Sequence, residues 1–139
     1  MVINEDAGSM TMTGRSCGLP VSDALEHDDM RRVYYYSIFP NMLLSLHPDY
    51  VMFHTMWPEG TGRTRITCGW LFNPATLADS SFDVDDGVKF WDMTNRQDWH
   101  ICEESQHGIM SPAYRPGPYS PRESLSVAFD RQVLRSLGR

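Results

Sequence analysis

The chain has 139 residues and 15.9 kDa, with 12 Lys+Arg against 18 Asp+Glu and a formal net charge of −6, which is room for one domain with its own core. The acidic balance, with a pI near 5.2, excludes the electrostatic footprint of a nucleic-acid or anionic-membrane partner. Its 41% apolar and 22% charged residues exclude a disordered chain. No stretch nears the roughly 18 apolar residues of a membrane span, and the first six residues carry no export signal, so a soluble cytoplasmic protein is expected. Cys17, Cys68 and Cys102 are odd in number and widely spaced, which fits reduced thiols rather than a disulfide framework or a zinc pair.

Residues 1–30 form a poorly patterned N-terminal segment with one strand-like piece near Ser9 to Thr13. From Arg31 to Phe72, β-branched and aromatic residues recur between turn residues and predict strands at 32–38, 41–46, 50–57 and 63–72. Pro40 interrupts the first pair, His47-Pro48-Asp49 supplies a turn, and Pro58 to Gly62 closes a hairpin. In the last strand Ile66, Cys68, Trp70 and Phe72 alternate with Arg65, Thr67 and Gly69, predicting an antiparallel meander with one buried face.

A polar connection with one helical turn follows, over Asn73 to Ser81. A long helix is predicted from Val84 to about His107, capped by Asp83 or Ser81 and ended by Gly108. Three prolines make Ser111 to Tyr119 an extended loop. Ser120-Pro121-Arg122-Glu123 matches a capping box and predicts a terminal helix carrying Leu125, Phe129, Val133 and Leu137. The expected class is α+β, an antiparallel sheet packed on a long helix plus a C-terminal helix.

Winding the long helix at about 100° per residue places Val84, Gly87, Trp91, Thr94, Asn95, Ile101, Cys102, Ser105 and Ile109 within about 60° of Asp98. None of them is charged, so Asp98 is expected to be a lone carboxylate in a buried stripe. A buried carboxylate needs a partner. Three readings stand: a structural acid satisfied by Arg63, Arg65 or backbone donors, a catalytic acid or base, and a metal ligand oriented by Asn95 or Thr94. Among the histidines, His100 and His107 project from the opposite face, His47 reads as a surface turn residue, and His54 reads as a core residue within reach of the pocket. His27 lies in the unpatterned segment.

Three segments carry a resemblance: Tyr36-Ser37-Ile38-Phe39-Pro40-Asn41, Leu46-His47-Pro48-Asp49-Tyr50, and Asn95 to Gly108 with its Asp-Trp-x-x-Cys-Glu-x-x-Gln-x-Gly core. They resemble the C-terminal part of the large (alpha) subunit of Rieske-type aromatic-ring-hydroxylating oxygenases, the branch that includes choline and carnitine monooxygenases. The likeness covers roughly residues 31 to 138, so 31–139 is expected to be the C-terminal portion of an oxygenase catalytic domain. In that family a long helix delivers the aspartate of a 2-His-1-carboxylate site for mononuclear Fe(II), and the matching position is Asp98. The resemblance also implies the helix-grip (START-like) fold, in part.

The family's [2Fe-2S] Rieske cluster is held by C-x-H and C-x-x-H pairs that these residues lack, as they lack the segment with the two iron-binding histidines. The expectation is a fragment with one iron ligand. The implied reaction inserts oxygen from O2 into an aromatic or quaternary-ammonium small molecule, with electrons from a reductase or ferredoxin. The implied assembly is a homo-oligomer, a trimer, or a pairing with a missing N-terminal part. Trp91, Ile101 and Cys102 are candidate pocket residues beside Asp98, with Asn95 behind it and His54 facing it. The run Tyr34-Tyr35-Tyr36 suits either an aromatic box for a quaternary ammonium group or sheet packing. The competing readings are a non-enzymatic helix-grip module that binds an apolar small molecule, and a degenerate fragment serving only in assembly.

Overall fold

In the computed structural model, which describes residues 1–139, four strands form one antiparallel sheet in the order β1-β2-β3-β4: β1 (Tyr34–Ile38), β2 (Met42–Leu46), β3 (Tyr50–Pro58) and β4 (Thr64–Phe72). The strand bounds lie within two residues of the predicted ones because each connection is fixed by the turn residues that mark it. Register pairs Tyr50 with Phe72, Met52 with Trp70, His54 with Cys68 and Met56 with Ile66. With a period of two, these side chains share one face. A short helix α1 (Pro74–Ala78) and a long helix α2 (Val84–Ile109) follow, then α3 (Ser124–Ser136).

Helix α2 lies on the Tyr50/Met52 face. Asp83 starts it, accepting from Asp85 N–H at 3.1 Å. The helix passes Gly108 and ends at Ile109, because a helical glycine is a cost and not an obligatory stop. Three of its residues are buried, Gly87, Trp91 and Asn95. Their spacing of four puts them along one line of contact. Gly87 is required there, since a Cβ would stand 3.1 Å from the Cys17 sulfur. On the opposite sheet face the ring of Phe53 lies across Gly69, where a Cβ would meet it at 2.3 Å, so glycine opposite an aromatic ring fixes this part of the β3–β4 register.

The core is small: Cys17, Tyr50, Met52 and Trp91, with Met10, Trp70, Phe72 and Phe90 packed against it. Trp91 Nε1–H donates to Tyr50 Oη at 2.7 Å, and Tyr50 O–H donates to the Met10 carbonyl at 2.7 Å. One phenol thereby ties helix, sheet and N-terminal segment together. Asp49 is only 2% exposed. Its carboxylate accepts from Ser9 Oγ at 2.6 Å, Ser16 Oγ at 2.9 Å and Cys17 N–H at 2.9 Å, so hydrogen bonds, not a cation, satisfy this buried charge.

Four expectations fail here. Ser9 to Thr13 is not a strand but a series of bends, with Ser9 and Thr11 buried; single contacts to Asp49 and α2 hold it, and such contacts leave no periodic trace. His47 is not a surface residue but 3% exposed, stacked on Tyr50 at 4.1 Å and edge-on to Trp91 at 5.5 Å. The N-terminal half of β4 is not buried, since Thr64 to Thr67 are all exposed, because the contact line of α2 reaches only as far as Asn95. Helix α3 begins at Ser124, after the predicted cap; Glu123 accepts the Ser120 backbone N–H at 2.5 Å, but Ser120 makes no reciprocal cap. None of the residues of α3 is buried.

Tyr50→Phe removes the acceptor of Trp91 and the donor to Met10, and a loss of about 1 to 3 kcal/mol in urea unfolding is expected, with an unchanged far-UV spectrum. His47 supplies a pH test. Burial without a hydrogen-bond partner for either ring nitrogen lowers its pKa from 6.5 to about 4. The unfolded chain then binds more protons between those values, so this contribution is complete above about pH 6.5 and is lost as the pH falls toward 4. Between pH 7 and pH 5 the wild type should lose about 2 kcal/mol more than His47→Phe; equal losses in paired melts would contradict it.

Candidate functional site

Helix α2 carries the predicted site residues, and the sheet orders only its first half. Asn95 is the last buried position. Its Oδ1 lies 3.1 Å from His54 Nε2, and its Nδ2–H donates to the Cys68 sulfur at 3.5 Å. His54 and Cys68 are register partners on adjacent strands, so one amide reads both strands and sets the rotation of the helix. This joins two of the expected site residues, Asn95 and His54. His54 is half-buried, with Asn95 as its hydrogen-bond partner.

Asp98 is exposed, which corrects the buried-stripe expectation. Its azimuth is right, because seven residues from Trp91 is close to two full turns. Its position along the axis is the reason for the miss: about 10 Å beyond Trp91 the helix has outrun the sheet, and a wheel projection discards that coordinate. The same holds for Ile101, 63% exposed, and for Ile109. Neither arginine reaches Asp98. Arg63 and Arg65 both pair with Glu59, at 3.1 and 3.3 Å, and Arg96 pairs with Asp92 at 2.8 Å. Asp98 is therefore not a buried structural acid, and its carboxylate makes no ion pair or hydrogen bond.

The candidate pocket residues separate. Trp91 belongs to the core with Tyr50. Cys102 lines an open groove of about 380 Å³, with Trp99, Glu103 and Gln106 on α2 facing Thr61 to Thr64 and Ile66. Tyr34, Tyr35 and Tyr36 are exposed on β1. Tyr34 O–H donates to Asp29 at 2.7 Å and Tyr35 O–H to the Met10 sulfur at 3.4 Å, so the three rings diverge across the strand. His27, His100 and His107 are exposed. No group of three His, Cys, Asp or Glu side chains is placed to hold a metal ion, so the residues present do not fit a complete mononuclear iron site. Burial pushes the Cys17 thiol up to about 12, which makes it inert. The burial of Asp49, His47 and Cys17 was missed by sequence reasoning; the His-Pro-Asp-Tyr segment was a signal for the first two, and Cys17 had none.

The sequence matches the family described as "Ring hydroxylating alpha subunit (catalytic domain)" over residues 1–139. It is similar to the glycine betaine monooxygenase oxygenase subunit of Pseudomonas aeruginosa (strain UCBPP-PA14), 30% identical over 135 residues that make up 94% of this chain and 31% of the relative. The protein of the same name from Chromohalobacter salexigens is 34% identical over 123 residues, 88% of this chain and 27% of the relative. Chloroplastic choline monooxygenase from Beta vulgaris is 27% identical over 86 residues, 62% of this chain and 19% of the relative. The chain thus spans about a third or less of the length of the relatives it matches. With the match running from end to end, and with the motif around Asp98 on a long helix packed on an antiparallel sheet, the chain belongs to the ring-hydroxylating oxygenase alpha subunits, in their catalytic domain.

Proposed function

We propose that this chain supplies the carboxylate-bearing helix of a Rieske-type non-heme iron monooxygenase acting on a quaternary-ammonium small molecule, with Asp98 as an iron ligand. One observation carries the reading. Asp98 stands exposed with neither ion pair nor hydrogen bond, as do Glu103 and Glu104 further along α2; what singles it out is its place in the Asp-Trp-x-x-Cys-Glu motif, on a helix locked in rotation one turn earlier by Asn95, His54 and Cys68. The substrate class rests on the names of the relatives. Residues 31–139 are read as the C-terminal portion of the catalytic domain, and sheet plus α2 as part of a helix-grip arrangement.

The iron in such enzymes supplies O2 chemistry from its open coordination positions. This chain's part is positional. Asn95 holds the helix, and α2 presents one anionic oxygen ligand. The other ligands, the [2Fe-2S] cluster, the reductase or ferredoxin and a trimeric cytoplasmic assembly are assigned to the complete enzyme on the same resemblance. No helix here is long and apolar enough to cross a membrane. The competing small-molecule module loses its premise, because the inner sheet face is filled by Cys17, Tyr50, Met52 and Trp91.

Asp98→Asn in the 139-residue chain should change stability by no more than about 0.5 kcal/mol, as for an exposed, unpaired side chain. Anaerobic Fe(II) titration should detect only weak binding, since one carboxylate is a third of a facial ligand set. Function is tested by grafting residues 1–139 onto the matching region of the Pseudomonas aeruginosa relative, with far-UV spectra and urea midpoints reporting that the chimera folds. The chimera should hold one mononuclear iron beyond the two irons of its cluster and consume O2 on adding betaine, and Asp98→Asn should remove both that iron and the O2 uptake. Mononuclear iron that survives Asp98→Asn would overturn the assignment.

A further inference from the structure

The sheet has two apolar faces and a helix on only one of them. On the other, Tyr34, Leu46, Val51 and Leu71 form one rung across all four strands, and Tyr36 and Leu44 stand beside them on the next. Leu71 is 57% exposed and Tyr36 49%. An antiparallel sheet that faces water alternates apolar with polar residues. Here the one charged strand residue on this face, Arg65, pairs with Glu59 at 3.3 Å. Arg32, paired with Asp28 at 3.0 Å, stands at the margin beside Tyr34. The centre is apolar and the charges lie at the rim, already neutralised.

Charge and area decide what covers it. An electron carrier that docks and leaves is steered by unpaired charge, and this face has none. A subunit contact of standard size takes about 800 Å² from each partner, whereas the shortfall here is larger and reaches into the core. The chain exposes 10,298 Å², about 3,000 Å² more than the roughly 7,400 Å² of a compact monomer of its mass. Only 16 of 139 residues are buried, and the core cluster holds four of them, where a domain of this length buries about two thirds of the surface of its unfolded chain. A bare patch on a filled domain calls for a partner; a deficient core calls for polypeptide of the same folding unit. The family match names that unit as the catalytic domain, and the chain spans 31% of the length of the Pseudomonas aeruginosa relative.

We infer that the outer sheet face is an internal surface of the oxygenase catalytic domain, covered by the remaining polypeptide of the same subunit and not by a second copy or an electron donor. The chemistry it fits is apolar and uncharged. A second layer about 10 Å above the strands would place aliphatic and aromatic side chains on Tyr36, Leu44 and Leu71, and its polar groups over the Glu59 and Arg32 pairs at the rim. The inference rests on the family reading of the chain and not on Asp98 as an iron ligand.

In the chimera with the Pseudomonas aeruginosa relative, the photo-crosslinker p-benzoylphenylalanine in place of Leu71 should join, on irradiation, to the relative's own polypeptide, and the product should keep the mass of one subunit on a denaturing gel. A product of twice that mass would give the face to a neighbouring subunit, and the lack of any cross-link would leave the face bare; either result overturns the proposal. Leu71→Glu and Tyr36→Glu provide a second measurement. In the isolated chain, where both side chains are exposed, the urea midpoint should not move; in the chimera, where each charge is buried unpaired, it should fall by roughly 1 M. Equal effects in the two settings would contradict the proposal. So would an isolated chain that sediments at twice 15.9 kDa and becomes monomeric in either variant. Mononuclear iron in the chimera reports on Asp98 and the cross-link from position 71 reports on the face, so the failure of one reading is distinguishable from the failure of the other.

Discussion

The structure depends on the hydroxyl of Tyr50, which takes a hydrogen bond from Trp91 of α2 and gives one to the Met10 carbonyl. Tyr50 stands at the start of β3 and is wholly buried. Around it the core residues come from three places in the chain: Cys17 from the N-terminal segment, Met52 from the sheet and Trp91 from the helix. With so few buried apolar residues, the hydrophobic term is small, and satisfied polar groups carry an unusual share of specificity. Asp49 with its three donors and the His54–Asn95–Cys68 contact belong to the same economy. Each is buried or half-buried, and each joins segments far apart in sequence.

That arrangement explains why the two halves of α2 differ. Through Asn95 the helix is held every fourth residue by Gly87, Trp91 and Asn95 itself. Beyond it, Asp98, Ile101 and Cys102 face solvent or the open groove. The residue on which the proposed chemistry rests therefore sits on the unsupported half, aimed by an anchor one turn earlier. Rigid support behind a ligand and open space in front of it is the arrangement a metal ligand needs before the rest of its site is assembled.

The strands and the long helix were legible in the sequence because each is announced by a local period and bounded by turn or capping residues. Asp98 was legible as an azimuth and as part of a motif, not as a buried group, because periodicity says nothing about how far a sheet extends along a helix. His47 was misread since a histidine before proline in a turn usually faces water; here the turn folds under α2, and the ring fills the space between Tyr50 and Trp91. The first thirty residues were opaque for a related reason. Their buried side chains, Ile3, Ser9, Thr11 and Cys17, are irregularly spaced, because each meets a different part of the sheet or helix.

Amide hydrogen exchange along α2 tests most directly whether the helix is anchored only as far as Asn95. Amides from about residue 88 to 96 should exchange through global unfolding, while those from about 99 to 108 should open locally at a lower free energy. Uniform protection from one end of α2 to the other would contradict the anchored and free halves, and with them the placement of Asp98 on an open surface.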